Sequence, residues 1–287
     1  MVNRAVFLLR FADGGTLELG HRTRVLGVLN LTPDSFSDGG RLRTPAEAVA
    51  AAHEQVAAGA DLLDVGGEST RPGAEPVDPG EEARRVVPVV AAIRRELDVR
   101  LSIDTRRADV ARRALDAGAD LINDVSALGD PQMLPLLVER RVPVILMHMR
   151  GEPRTMQHDT RYADPAREVA DFLRERAETV AAAGLRDGKI LVDPGIGFGK
   201  SVDGNLQLLE RLPELARVGH PIVIGASRKS FIGAVLDLPV GERLYGSLAA
   251  AVYACAQGVH VIRAHDVAAT VQAVRLVDAI RARSGGR

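Results

Sequence analysis

The sequence predicts an α/β protein, a (β/α)8 or TIM barrel with a small β-hairpin at its amino end. Three observations carry this expectation. Eight short apolar runs alternate with alanine-rich amphipathic segments along the 287 residues. The runs are continuous rather than alternating, as strands buried on both faces must be. A single α/β barrel also commonly has this length. A doubly wound open sheet is the alternative arrangement of the same units.

Residues 6–20 hold two apolar runs around Asp13-Gly14-Gly15, a hairpin signal. They are expected to form a ribbon, about 5–20, outside the main fold, with the barrel running from about 24 to 283. Strands are expected at 25–30, 62–66, 101–104, 121–124, 144–147, 190–193, 222–225 and 259–263. Helices are expected near 45–58, 79–96, 106–117, 130–140, 164–183, 203–217, 242–257 and 267–282. Thr44-Pro45, Asp78-Pro79, Asp130-Pro131 and Asp164-Pro165 each set a capping side chain before a first-turn proline. No linker or shift in composition divides the chain, so it reads as one domain.

Hydrophobic residues make up 46%, ample for a large core, and the net charge of −1 comes with interspersed signs. That balance points to no general nucleic-acid or membrane surface. No run approaches the ~18 apolar residues of a membrane span, and the charged, short start does not read as a signal peptide. A cytoplasmic protein is expected. The sole cysteine, Cys255, cannot form an internal disulfide and reads as a small core residue. The 37 basic residues include only three lysines, Lys189, Lys200 and Lys229. In a chain that otherwise uses arginine, a lysine hints at a position needing a compact ammonium.

Barrels carry their active sites at the carboxyl ends of their strands. That rule selects Asn30; Asp64 with the loop 66–73; Asp104 and Thr105; Asn123 and Asp124; Met147 and His148; Asp193; Ser227, Arg228, Lys229 and Ser230; and Arg263, His265 and Asp266. Singly, each has a plain reading: Asp104 or Asp193 could cap a helix, and His265 could be structural. Eight caps, however, would not need carboxylate, amide, ammonium, guanidinium and imidazole together. Two lookalikes fail. Residues 195–201 (GIGFGKS) end like a phosphate-binding P-loop but carry Pro194 where the pattern needs glycine, and they lack the third glycine of the dinucleotide fingerprint. The seven histidines are scattered without metal-ligand spacing.

The segments LGVLNLTPDSFSDGG (26–40), DVGGESTRPGA (64–74), SIDT (102–105), INDVSA (122–127), LMHM (146–149), DPGIGFGK (193–200), GASRKSFIG (225–233) and RAHDV (263–267) resemble dihydropteroate synthase. That folate-pathway family joins a pterin diphosphate to p-aminobenzoate, and the segments run in family order through nearly the whole chain. The resemblance implies a transferase that uses Mg²⁺, binds small-molecule substrates rather than nucleic acid, forms a homodimer and is a sulfonamide target. It implies that Asp193 accepts two pterin donors, that Asn123 and Asp104 complete the ring edge, and that Lys229 meets the carbonyl oxygen and a ring nitrogen. Met147 and Phe198 would line the flat faces. Diphosphate would fall to Asn30, Thr70, Arg263 and His265, with Asn30 also holding the metal. p-Aminobenzoate would fall to Phe36, Thr70, Arg71, Pro72, Lys229 and Ser230, with Asp38 and Arg71 helping to close the two long loops. Lys229, Arg263, His265 and Asp38 would carry the catalysis.

An arylamine is neutral at pH 7, so its attack needs no strong base; the demand is charge stabilisation on the departing diphosphate. Two related readings keep the pterin pocket. A corrinoid-linked methyltransferase needs neither long loop nor the lysine–arginine–histidine set. A non-catalytic paralogue would keep the pocket without turnover. A Schiff-base aldolase built on Lys229 has little behind it, because the neighbouring Arg228 alone does not make that lysine special.

Overall fold

Each of the eight apolar runs is too evenly apolar to lie at a surface. In the computed structural model, which describes residues 4–32, 44–185 and 188–284, each run contributes a strand to one parallel sheet. The chain opens with a ribbon, β1 (Phe7–Arg10) antiparallel to β2 (Thr16–Leu19). Then come β3 (Arg24–Asn30) and α1 (Pro45–Ala57), β4 (Leu62–Gly66) and α2 (Pro79–Glu96), and β5 (Arg100–Asp104) and α3 (Ala108–Asp116). The middle units are β6 (Leu121–Asp124) with α4 (Met133–Arg140), and β7 (Val144–Met147) with α5 (Pro165–Ala182). Next, β8 (Ile190–Asp193) leads to α6 (Val202–Glu210) and α7 (Leu212–Leu215). Finally β9 (Val223–Ile224) leads to α8 (Ser230–Leu236) and α9 (Leu244–Ala256), and β10 (Val261–Ala264) to α10 (Val267–Ser284).

The sheet order is β8-β7-β6-β5-β4-β3-β10-β9. Its two edges meet through a parallel bridge between Val192 and Ile222, where the Val192 amide donates to the Pro221 carbonyl at 2.9 Å. The barrel is therefore nearly closed, and the open-sheet alternative falls. Among the described residues no helix is long and apolar enough to cross a membrane.

Three of the four expected caps form as read. Thr44 builds a reciprocal capping box with Glu47, and Asp78 and Asp164 each accept the amide three residues on. Asp130 departs from expectation, since α4 begins only at Met133. Its carboxylate turns instead to the amide of Ala108 (2.8 Å), at the start of α3, and to that of Gln132 (2.9 Å). Helix α3 begins after Arg107, which supplies no side-chain cap, so a neighbouring loop provides one. The helix expected over 203–217 breaks at Arg211, just before Leu212-Pro213, where proline cannot donate to the ladder. Helix α8 was not expected; seven residues are too few to display a helical period.

The ribbon is not outside the fold. Leu9, Phe11 and Leu19 are buried against Leu26, Leu62, Leu121, Ile145, Leu191, Val223 and Val261, which belong to seven of the barrel strands. The ribbon thus plugs the amino end of the barrel, the end without an active site. Lys189 fastens it, donating to the carbonyls of Arg10 (2.7 Å) and Arg141 (2.6 Å). Beside it the Arg10 amide donates to Gly188 at 2.9 Å. Gly188 has φ +70°, and a Cβ there would lie 2.0 Å from the Leu8 carbonyl oxygen.

Register then builds the opposite end. Asn30 pairs beside Gly66, Gly66 beside Asp104 and Asp104 beside Asn123, so strands β3 to β6 deliver their terminal groups in one layer. Met147 pairs beside Asp193 in the same way.

Leu19→Ala should destabilise the protein by about 3 kcal/mol, the scale of a leucine cavity in a closed core. Urea unfolding measures it. A loss below about 1 kcal/mol would mean that the ribbon does not seal the barrel.

Candidate active site

The carboxyl end of the barrel opens into a cavity of about 380 Å³. Its floor is polar because the strand ends are polar. Arg263, from β10, reaches across β3 to two carboxylates at once: Nε donates to Asp64 Oδ2 (2.6 Å) and Nη2 to Asp104 Oδ2 (2.7 Å). Asn123 donates its side-chain amide to the same Asp64 oxygen at 3.0 Å. Asp64 Oδ1 and Asp104 Oδ1 are buried with no hydrogen-bond partner among the described residues. Burial, opposed by Arg263 and reinforced by the Asp64 charge, raises Asp104 to about 7. Asp193 accepts the Gly195 amide at 2.7 Å. Burial raises it to about 6, against the pull of that amide and of Lys229, Arg263 and Lys200.

Lys229 precedes α8 and points inward. Its Nζ lies 3.8 Å from the centre of the Phe198 ring, a cation–π contact. Its stem crosses Gly197, which has φ +85° and where a Cβ would stand 3.1 Å from Lys229 Cδ. Burial, with help from the Arg263 charge, lowers Lys229 to about 7. Met147 packs below with Val125, Met156 and Phe198.

His265 contacts Ser227 Oγ through Nδ1 (3.1 Å) and the Asn30 side-chain nitrogen through Nε2 (3.4 Å). With that amide nitrogen as donor, Nε2 accepts and Nδ1 keeps its proton for Ser227. Burial and then the Arg263 charge lower His265 to about 3, so the imidazole is neutral here. A diphosphate would meet it as a hydrogen-bonding group rather than as a cation.

The loop after β4 brings Thr70, Arg71 and Pro72 to the cavity rim. Glu68 anchors both ends of this loop, accepting the Val77 amide (3.0 Å) and pairing with Arg106 (3.2 Å) and Arg107 (2.9 Å). Midway, the Gly73 amide donates to the Pro153 carbonyl at 2.9 Å. On the other wall, Arg228 forms a two-pronged pair with Asp266 (2.9 and 2.5 Å), and Ser230 and Arg243 line the opening. The P-loop lookalike holds no phosphate cradle. Lys200 points into the protein, donating to Gly195 O (3.0 Å), Phe198 O (2.9 Å) and His148 Nδ1 (2.9 Å).

The pterin binding enzyme family matches residues 26–265 of this chain. The chain belongs to that family, among the dihydropteroate synthases. The dihydropteroate synthase of Synechocystis sp. is 47% identical over 93% of this chain and 93% of its own. Among solved structures, the Yersinia pestis dihydropteroate synthase in a sulfonamide drug complex is 45% identical, with a TM-score of 0.92 over 96% of this chain and 100% of that one. The Xanthomonas albilineans dihydropteroate synthase with 4-aminobenzoic acid is 44% identical, with a TM-score of 0.89 over 97% and 99%. A pterin binding enzyme is therefore the frame for the residues above.

Of the residues the sequence selected, Asn30, Thr70, Arg71, Pro72, Asp104, Phe198, Lys229, Ser230, Arg263 and His265 line the cavity. Asn123, Met147 and Asp193 lie buried at the strand ends next to it. Phe36 and Asp38 lie outside the described residues. Sequence patterning assigns no role to Glu68 or Arg243; the barrel rule selects Asp64 and Ser227 without giving either a role, and Lys200 is marked only by the scarcity of lysine. The two-residue strand period, counted back from Gly66, was the signal for Asp64. No group of three or more histidine, cysteine, aspartate or glutamate side chains among the described residues could hold a metal ion.

A raised Asp193 makes the folded state favour the protonated acid, so ionisation works against folding once pH exceeds the unfolded value of 3.8. Asp193→Asn removes that charge. It should raise stability by on the order of 3 kcal/mol above pH 6, with the gain vanishing by about pH 4. Thermal melts of both proteins across this range check it; a pH-independent difference would show that Asp193 is not strained.

Proposed function

We propose that this chain, as one domain, condenses 6-hydroxymethyl-7,8-dihydropterin diphosphate with p-aminobenzoate, giving 7,8-dihydropteroate and diphosphate for folate biosynthesis. The observation that carries the reading is the layered mouth of the barrel. Buried carboxylates and an amide lie below, one ammonium rests on an aromatic face, and guanidinium groups line the cavity above. A pterin edge offers ring N–H and amine donors, which suit Asp193, the open oxygen of Asp104 and the Asn123 amide oxygen. An ionised carboxylate sunk this deep favours a ring with paired donors and disfavours flat rings without them. Phe198 and Met147 supply apolar surface for the ring faces.

In the reaction the CH2–O bond breaks with its electron pair leaving on diphosphate. The amine nitrogen of p-aminobenzoate donates its lone pair to the same carbon, and its surplus proton goes to water. Arg263 and Lys229 oppose the charge that develops on the leaving group. His265 holds the Asn30 side-chain nitrogen through Nε2, which leaves the oxygen of this cavity-lining residue as a hard donor. One such donor, with substrate oxygens and water, suits Mg²⁺ better than an all-protein cage would. When bound, the ion would neutralise diphosphate charge. Thr70, Arg71, Pro72 and Ser230 at the rim are proposed to receive p-aminobenzoate, together with Phe36 and Asp38 as the family resemblance implies.

Purified protein given the pterin diphosphate should release diphosphate only when p-aminobenzoate and Mg²⁺ are both present, with dihydropteroate formed. Tight pterin binding without release would instead mark a silent paralogue. Lys229→Arg should lower kcat/KM at least 100-fold, because a planar fork cannot occupy the slot between Gly197 and the Phe198 ring. Near-normal turnover in that variant would refute the role.

A cytoplasmic homodimer is proposed as the working form. Exposed Leu206, Val235, Leu236, Tyr245 and Tyr253 border a groove of about 580 Å³ between α6, α8 and α9, an apolar surface suited to a second copy. Sedimentation equilibrium at micromolar concentration should give twice the chain mass of 30.6 kDa; a monomer would refute the dimer.

A further inference from the structure

Lys200 takes no part in the chemistry above, yet it is only 3% exposed, its Nζ is fully engaged, and burial lowers it to about 7. Nζ donates to the carbonyls of Gly195 (3.0 Å) and Phe198 (2.9 Å) and to His148 Nδ1 (2.9 Å), with the His148 carbonyl at 3.4 Å. All these acceptors are uncharged. Burial and the Lys200 charge lower His148 to about 2, so its ring is neutral and Nδ1 is free to accept. An apolar side chain of similar length would fill the space without the cost of desolvating an ammonium, so packing alone does not account for this lysine.

The two clasped residues are the ones on which the pterin layer rests. Gly195 gives its amide to Asp193 Oδ1, and the Phe198 ring carries the Lys229 ammonium. The turn has no slack: Gly195 has φ +67°, and a Cβ there would fall 1.9 Å from the His148 carbonyl oxygen. Asn205 Oδ1 holds the turn from the other side by accepting the Gly197 amide at 2.6 Å.

We infer that Lys200 is a positioning residue for the pterin subsite: by clasping the Gly195 and Phe198 carbonyls it sets the Asp193 carboxylate and the aromatic face that together receive the ring. The inference rests on the pterin reading of the site and adds to it a residue that touches no substrate.

The test titrates 6-hydroxymethyl-7,8-dihydropterin diphosphate into wild type and Lys200→Met by calorimetry, and measures KM for both substrates on protein shown folded by circular dichroism. The expected result is a pterin Kd and KM raised at least tenfold, with the p-aminobenzoate KM within twofold of wild type. An unchanged pterin Kd in the folded variant overturns the inference. So does a fall in kcat with both KM values unmoved, the signature of fewer active molecules. Should Lys200→Met fail to fold, Lys200→Gln keeps two donors on a shorter arm; the same split between the two KM values is expected, and its absence overturns the inference equally. Wild type that binds no pterin would remove the reading beneath, a result distinct from wild type and variant binding alike.

Discussion

One guanidinium held between two buried carboxylates organises the working end of this barrel. Arg263 bonds Asp64 and Asp104 together, and Asn123 leans on the same Asp64 oxygen. Removing Arg263 would leave two buried carboxylates without their counter-charge, a far larger loss than the pair is worth in isolation. The set is also unbalanced, with two acids on one base and two carboxylate oxygens lacking donors among the described residues. Asp193, raised by burial, adds to the imbalance. The folded chain therefore carries unmet acceptors where the proposed pterin brings donors.

Strand ends were the most legible part of the sequence. Eight apolar runs stopped by polar residues point to Asn30, Asp104, Asn123, Asp193, Lys229, Arg263 and His265, because a barrel rule converts one-dimensional order into a common place. What escaped reading was whatever depends on contacts between distant segments. Asp130 reads as the cap of its own helix, and only the packing of two neighbouring units turns it toward α3. The ribbon has a hairpin signal, but nothing local says which surface its Leu9 and Leu19 will meet. Helix α8 is too brief to declare a period. The neutral state of His265 follows from three-dimensional burial beside Arg263, which spacing cannot express.

The three lysines show how a compositional bias becomes a positional one. Each ends against several acceptors or a ring face: Lys189 at two carbonyls of the ribbon seam, Lys200 at two carbonyls and a histidine, and Lys229 over Phe198. A tetrahedral ammonium can point three protons in divergent directions, whereas a guanidinium spreads its donors in a plane. Arginine serves the fork-shaped partners instead, such as the Arg228–Asp266 pair and the Asp64–Arg263–Asp104 bridge.

The ribbon's partners also fix an order of events during synthesis. β1 and β2 precede every barrel strand in the chain, yet the cluster that buries Leu9, Phe11 and Leu19 includes Leu191, Val223 and Val261 from the last three strands. Until the last strand has left the ribosome, that apolar face has no complete socket, and contacts spanning some 250 residues are slow to close. The ribbon's socket is thus complete only once β10 is in place. A nascent chain halted before β10 would present an unsheltered greasy hairpin, the kind of surface that chaperones bind and that seeds aggregation.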